Sequence, residues 1–306
     1  MTAAQPSSLE LAGLDGSNPL AFLAALGTLR TLSAVWPDAT LRLHWEPRGA
    51  WRPVVLADRP LAPDSVLGAI EAPLQAMSEH AALAVDDNLR LPPEVFREYA
   101  MQAVRHARES SDRRWADFAA AFGCDAACEE GAIQDTAIRT MSGAGHQHFL
   151  KTMRDLAKMT TRSDLERSLF QPWEYTDDKP SLRWDPADDR RYALRWKEPS
   201  GDPILTMRGA NRLAIEALPL FPTAPVRSGL ETTGFRTGGR GGVVVLPSRL
   251  VVMVKREHER RGPGARGKHH PCHVAGCKGA DEHPGETQIR LADAAHSGLL
   301  GALRHR

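Results

Sequence analysis

Residues 140–162, TMSGAGHQHFLKTMRDLAKMTTR, combine a glycine turn with an amphipathic helix. Gly143 and Gly145 favour a turn, because glycine adopts positive φ angles at little cost. After the turn, Phe149, Met153 and Leu156 recur at helical spacing and define one apolar face. The stretch therefore predicts a buried helix that begins directly after a tight turn.

The other side of this predicted helix carries a basic stripe. Lys151, Arg154 and Lys158 are spaced i, i+3 and i+7, so they share one face. A glycine turn that leads into a helix also presents backbone N–H groups beside the positive end of the helix dipole, which suits a phosphate. We predict an anion-binding edge, and expect that replacing Lys151 and Arg154 spares folding because both lie opposite the apolar face. Its residues are Ser142, Gly143, Gly145, Lys151, Arg154 and Lys158. The alternative is a surface helix whose basic residues are simply solvated.

The composition is that of a folded protein without a dominant charge. Of 306 residues, 42% are hydrophobic, which is enough for a substantial core. Basic and acidic side chains nearly cancel at 39 and 38, so any nucleic-acid binding has to come from local segregation of charge. The chain has no apolar stretch of membrane-spanning length and no signal-peptide pattern at residues 1–10. We therefore expect a cytoplasmic protein with no membrane partner.

The first 91 residues predict a small α/β unit. Residues 8–13 have strand character, and the turn at 14–19 places Asn18 and Pro19 where a capped helix begins. That helix is predicted to reach about Ala34 and to be apolar nearly all round, hence deeply buried. Strand-like runs at 40–45 and 51–57, joined by turn residues, predict a hairpin.

Residues 92–172 form a region that we predict to be largely helical. Pro92 and Pro93 begin one helix, and an apolar stripe continues to a stop at Gly123. Cys124 and Cys128 are spaced i, i+4, and we interpret them as packing at a helix end. Disulfides are not expected without a secretion signal.

Residues 173–254 mix aromatic and arginine side chains, as in surfaces that stack bases and neutralise phosphates. The alternative is an element that packs its aromatic side chains inward. The candidate contacts are Arg183, Trp184, Arg190, Arg191 and Arg195. Further on, residues 213–218 predict a helix and residues 243–246 and 250–254 predict strands. Residues 255–306 are predicted to be a flexible tail. Together these segments predict an α+β fold.

Metal and catalytic sites have weak support in the sequence. His269, Cys272, Cys277 and His283 offer zinc-ligand chemistry, but the second well-spaced pair of a structural site is missing. Asp185, Asp188 and Asp189 form one local cluster, whereas metal-dependent nucleases gather carboxylates from several elements. His146 and His148 are two residues apart and would point to different sides of a helix. We therefore assign no catalytic residue, metal or cofactor.

Three phrases resemble a known family. Residues 14–30, LDGSNPLAFLAALGTLR, resemble the N-P-L-x-x-(Y/F)-L-A-A-L-G-x-L-R phrase of large-subunit-like proteins from type I-G (formerly I-U) CRISPR systems. The small-residue turn into a helix at 142–155 is similar as well. Residues 182–190, LRWDPADDR, look like the D-P-x-x-x-R phrase of that group. The resemblance spans about residues 8–235, and none of the phrases is a catalytic signature.

The resemblance implies a role in CRISPR interference. Such a protein would be a non-catalytic subunit of the RNA-guided surveillance complex, or an extension accompanying its helicase-nuclease. Its partners would be the other interference subunits, the helicase-nuclease, and guide RNA or target DNA. Two other classes stay open: a protein-docking adaptor for the helicase-nuclease, and a small metal-dependent nuclease that uses residues 185–189 or the histidine-rich tail.

Overall fold

The computed structural model describes residues 7–140, 148–188, 205–227, 229–238 and 242–245. Its helices are α1 Pro19–Val35, α2 Pro63–Gln75, α3 Pro93–Ser110, α4 Arg114–Phe122, α5 Phe149–Met159, α6 Arg162–Phe170 and α7 Arg208–Ile215. Its strands are β1 Ser7–Glu10, β2 Leu41–Pro47, β3 Trp51–Ala57, β4 Gly123–Glu129, β5 Ala132–Asp135, β6 Thr223–Val226, β7 Gly229–Thr232, β8 Arg236–Gly238 and β9 Gly242–Val245. Helices and small antiparallel sheets confirm the α+β class.

Helix α1 is largely buried and packs against α2, α7 and β2. The side chain of Asn18 accepts hydrogen bonds from the backbone amides of Leu20 (2.9 Å) and Ala21 (3.4 Å), and Pro19 occupies the first turn. Cap and proline together satisfy or remove N–H groups that would otherwise lack partners. Most of the helix is buried, which confirms the predicted capped start and deep burial.

The N-terminal sheet has the strand order β1-β3-β2, and both pairings are antiparallel. Leu9 and Leu43 lie opposite Val55 from either side, and alternate residues of β2 and β3 point into the core. The predicted N-terminal strand and hairpin are confirmed.

Residues 92–172 are largely helical, as predicted, and residues 123–135 are an exception. This stretch is the β4–β5 hairpin, and Cys124 and Cys128 lie on β4 rather than at a helix end. Glu130 and Gly131 both have positive φ, 48° and 78°, as in the tight turns that favour hairpins. The turn and the pairing with β5 prevail over the weak strand propensity of the alanine- and cysteine-containing β4.

One hydrophobic core draws residues from all three regions that precede the predicted tail. It extends from Leu11 in the N-terminal unit through Phe149 on α5 to Phe221 after α7. The divisions at residues 91 and 172 therefore do not separate independent cores. None of the helices in the described ranges is both long and apolar enough to cross a membrane.

The C-terminal predictions are tested only in part. Strand β9 coincides with most of the strand predicted at 243–246, and α7 begins before the helix predicted at 213–218. The strand predicted at 250–254 and the tail at 255–306, with the zinc candidates His269, Cys272, Cys277 and His283, lie outside the described residues.

Candidate nucleic-acid interface

Helix α5 has the amphipathic character that its sequence predicts. Phe149, Leu150, Met153 and Leu156 are fully buried in the common core. The glycine-turn residues that precede this helix, Ser142, Gly143 and Gly145, lie outside the described part of the chain.

Two of the three predicted basic residues reach the surface of α5. The ammonium group of Lys151 lies 2.6 Å from the carboxylate of Asp155, and both side chains are about half exposed. Lys158 is exposed in the last turn of the helix. Because an exposed ion pair contributes only about 0–1 kcal/mol, Asp155 would not prevent Lys151 from meeting an anion.

Arg154 instead holds a neighbouring segment of the protein. Its guanidinium group donates to the backbone carbonyls of Leu83 and Asp86 and to the carboxylate of Asp87, with 2.9 Å to Asp86. The backbone amides of Leu150 and Lys151 also donate to the carbonyl of Asp87, at 3.0 and 3.1 Å. Arg154 thus fastens the 83–87 segment to α5. The expectation that replacing it spares the fold has to be corrected.

Trp184 is a core residue. Its side chain is 6% exposed, its indole N–H donates to the carbonyl of Ile138 at 2.8 Å, and its ring meets Phe149 edge-on at 6.4 Å. A buried ring cannot stack on a base without leaving the core, so the predicted base-stacking role is corrected. The inward-packing alternative is confirmed for this residue.

We expect Trp184→Phe to lower the free energy of unfolding by about 1–3 kcal/mol, because it leaves the buried Ile138 carbonyl without its donor. Affinity of the folded variant for a single-stranded oligonucleotide should not change. Urea unfolding and fluorescence anisotropy measure the two quantities. Trp51→Phe is the control, since the exposed Trp51 should change stability by less than about 0.5 kcal/mol. Weaker oligonucleotide binding at wild-type stability would restore the stacking role.

Arg183 lies at the edge of this core. It is partly buried and has a φ of +60°, and the Thr140 hydroxyl donates to the carbonyls of Leu182 (3.2 Å) and Arg183 (3.4 Å). Thr140 is the last described residue before the glycine-rich stretch. It is hydrogen-bonded to the start of residues 182–190, the stretch that we call the aspartate–proline phrase. Arg190, Arg191 and Arg195 lie beyond the described residues.

Two of the stretches that resemble the family, residues 14–30 and 182–190, contact each other through side chains. The amide of Asn18, which caps α1, donates to one carboxylate oxygen of Asp185 at 3.1 Å, although the two residues are 167 positions apart. That oxygen also accepts from the Ala187 amide at 2.8 Å, and the other accepts from the Tyr175 hydroxyl at 3.1 Å. Asp185 is buried and ties the aspartate–proline phrase to the start of α1.

The same hydrogen bonds weaken the case for a metal site at the cluster of Asp185, Asp188 and Asp189. Both oxygens of Asp185 are already engaged in the protein's own hydrogen bonds, and Asp189 lies outside the described residues. Within the described ranges, no group of three or more His, Cys, Asp or Glu side chains is arranged to hold a metal ion.

Sequence reasoning missed a buried charge network between α1 and α7. Arg212 and Glu216 are fully buried and 2.7 Å apart, and Arg30 reaches Glu216 at 3.1 Å. Arg212 also donates twice to the carbonyl of Leu74, at 3.1 and 2.8 Å. The i, i+4 spacing of Arg212 and Glu216 is a signal for the pair, but such spacing is usual on exposed helices.

The network also shifts the pKa values of Glu216 and Arg212. Burial by itself would raise the pKa of Glu216, but the charges of Arg212 and Arg30 lower it below its ordinary value. Burial lowers the pKa of Arg212, against the opposing effect of Glu216. The arrangement favours an ionised Glu216 between two guanidinium groups.

No protein-family model, curated protein or solved structure matches this chain.

Proposed function

We propose that this protein is a non-catalytic, cytoplasmic, nucleic-acid-binding subunit of a type I-G CRISPR interference complex that acts in antiviral defence. Its partners are the other interference subunits and the helicase-nuclease, and its ligand is guide RNA or target DNA. The observation that supports binding most directly is the exposed lysine edge of α5, which follows a glycine-rich sequence.

The lysine edge has the chemistry that a phosphate backbone requires. Lys151 and Lys158 are seven residues apart, about two helical turns or 10 Å along the axis. Both are exposed, and the carboxylate near Lys151 is itself half exposed. Lysine ammonium groups attract phosphates as point charges without reading sequence. Such a surface fits a subunit that holds nucleic acid rather than one that selects it.

The contact between Asn18 and Asp185 supports the assignment to the family. Two of the phrases that carry the resemblance form one hydrogen-bonded junction at the start of α1. The junction does not by itself assign a ligand.

The nuclease alternative loses support at residues 185–189, because both carboxylate oxygens of Asp185 already accept hydrogen bonds, from Asn18, Ala187 and Tyr175. The adaptor alternative gains support from α3, where two of the three arginines pair with carboxylates. Arg97 lies 2.6 Å from Asp125, and Arg105 lies 3.1 Å from Glu98. A phosphate backbone would meet less net positive charge on α3, which has three arginines and three glutamates, than on α5, which has three basic residues and one aspartate.

Lys151→Ala combined with Lys158→Ala should make the affinity for nucleic acid less dependent on salt concentration, so the slope of log K against log salt should become smaller. Each lost phosphate contact reduces the slope of log K against log salt by about 0.9 for duplex DNA and about 0.7 for single strands. The double variant should therefore lose about 1.8 or 1.4 units, measured by anisotropy over a salt series with labelled duplex and single-stranded probes. Unfolding in urea should stay within about 0.5 kcal/mol of wild type for each exposed site.

The matched control is Arg97→Ala combined with Arg105→Ala. It removes the same net charge from exposed positions on α3, so it should leave the slope within error of wild type. Equal slopes in the wild type and the α5 variant, with both proteins folded, would contradict nucleic-acid binding at this edge. Equal losses in the α5 and α3 variants would indicate a general charge effect instead of a site.

A further inference from the structure

A groove beside α3 takes no part in the proposed nucleic-acid surface. It has a volume of about 590 Å³ and lies between α3, the first turn of α4 and the segment at 81–85. Val85, Val95, Tyr99 and Trp115 contribute its apolar lining, and Glu94 and Glu98 add carboxylates along one side.

The base of the groove is formed by buried and partly buried aromatic side chains. Tyr99 is buried, and its hydroxyl donates to the carbonyl of Ala82 at 2.7 Å. Its ring packs against that of Trp115 with 5.7 Å between centroids. The aromatic floor is thus built into the core and needs no rearrangement to receive a ligand.

The upper part of the groove exposes apolar side chains to solvent. Val95 is 42% exposed and lies one turn before Tyr99 on the same side of α3. Val85 borders the groove from the opposite wall and is partly exposed. Apolar side chains that line one concave surface, with a polar border, are typical of interaction sites.

The border of the groove is acidic. Glu94 and Glu98 are exposed and four residues apart, so their carboxylates follow one another along the same edge of α3. Glu98 accepts hydrogen bonds from Gln102 (2.9 Å) and Arg105 (3.1 Å), so Arg105 balances part of its charge. Arg97 is directed to Asp125 and not to Glu94, so Glu94 supplies most of the negative charge of the border. An acidic border repels phosphate and attracts cationic side chains.

We propose that this groove binds an amphipathic helix of a partner protein, with apolar residues facing Tyr99 and Trp115 and lysine or arginine residues facing Glu94 and Glu98. The lining residues of α3 recur from 94 to 102, about two helical turns or 12 Å. A helical ligand presents anchors at i, i+3 or i+4, and i+7 over the same length. The proposal goes beyond nucleic-acid binding and uses a different helix.

A pair of probe peptides tests the proposal on the full-length chain. Both are fluorescein-labelled helical peptides of about four turns, with leucines at i, i+4 and i+7. One carries lysines beside the leucine stripe, and the other carries glutamates at the same positions. We expect the lysine peptide to bind at least about 10-fold more tightly than the glutamate peptide, because like charges across an interface are costly.

Reversing the acidic border supplies the decisive variant. Glu94→Lys combined with Glu98→Lys should reverse the preference, so that the glutamate peptide binds more tightly. Both positions are exposed, so the variant should fold, and circular dichroism with urea unfolding checks this. An unchanged preference in the folded variant, or no binding of either peptide to wild type, would overturn the proposal.

The apolar contact has its own matched pair of variants. Val95→Gln should weaken binding of the lysine peptide about 5- to 10-fold, because it removes an apolar anchor. Met101→Gln is the control, because Met101 is an exposed apolar residue on the same helix, 52% exposed, that does not line the groove. Equal losses in both variants would overturn the assignment to this groove. So would concentration-dependent self-association that the reversed border abolishes, since the occupant would then be a second copy of the chain.

Discussion

Gly27→Ala is expected to destabilise the protein by more than about 3 kcal/mol, beyond the usual 1–3 kcal/mol for overpacking a core. A Cβ atom added at Gly27 would lie 1.8 Å from the carbonyl oxygen of Leu213 and 3.2 Å from the backbone nitrogen of Ala217. Both are backbone atoms, so no rotamer change relieves the overlap. Helix α1 would have to move away from the α7 region, which opens the centre of the core. Urea unfolding monitored by circular dichroism measures the loss.

Gly68→Ala is the matched control for this substitution. Gly68 lies within α2 and is exposed, and an added Cβ would meet only the Arg162 guanidinium at 3.7 Å. Alanine is the better helix former, so this variant should be neutral or more stable by up to about 1 kcal/mol. A Gly27→Ala variant as stable as wild type would show that α1 and the α7 region do not approach this closely in solution.

Arg212→Met should cost about 3–5 kcal/mol, because it removes one partner of a buried ion pair. Glu216 keeps Arg30 at 3.1 Å, but the carbonyl of Leu74 loses both of its hydrogen bonds from Arg212. Lys151→Met provides the comparison. It breaks another i, i+4 pair, with Asp155, in an exposed setting, and should cost less than about 1 kcal/mol. Equal losses of unfolding free energy in both variants would contradict the role of burial.

A double-mutant cycle isolates the interaction energy between Arg212 and Glu216 from their contacts with other residues. Arg212→Met combined with Glu216→Leu should be less destabilising than the sum of the single changes, since no uncompensated Glu216 charge stays buried. Strict additivity would mean that the two side chains do not interact in the folded state.

Stability as a function of pH tests the same network. The folded-state pKa of Glu216 is lowered, so its ionised form contributes stability that is complete above the ordinary value of 4.5 and lost as the pH falls through the folded-state pKa. In Arg212→Met, burial of Glu216 is less compensated and its pKa should rise. The stability difference between wild type and variant should therefore narrow as the pH falls from the variant's folded-state pKa towards that of wild type. A difference that is constant between pH 7 and pH 3 would contradict this linkage.

Candidate-site residues with similar sequence contexts have different roles in the structure. Lys151 and Arg154 belong to the same predicted stripe, yet Lys151 reaches solvent while Arg154 binds the carbonyls of Leu83 and Asp86. The difference depends on the 83–87 segment, which packs against α5 from some 70 residues earlier in the chain. A helical periodicity identifies a shared face but not what that face meets.

By itself the sequence determined the features that depend on neighbours along the chain. The cap at Asn18, the proline start and the burial of α1 follow from local hydrogen bonding and periodicity, and so does the hairpin of β2 and β3. Tertiary structure alone decided that Trp184 packs inward and that Asp185 binds Asn18. The physical reason is that burial and pairing are set by partners distant in sequence, whose contacts form only when the chain is folded.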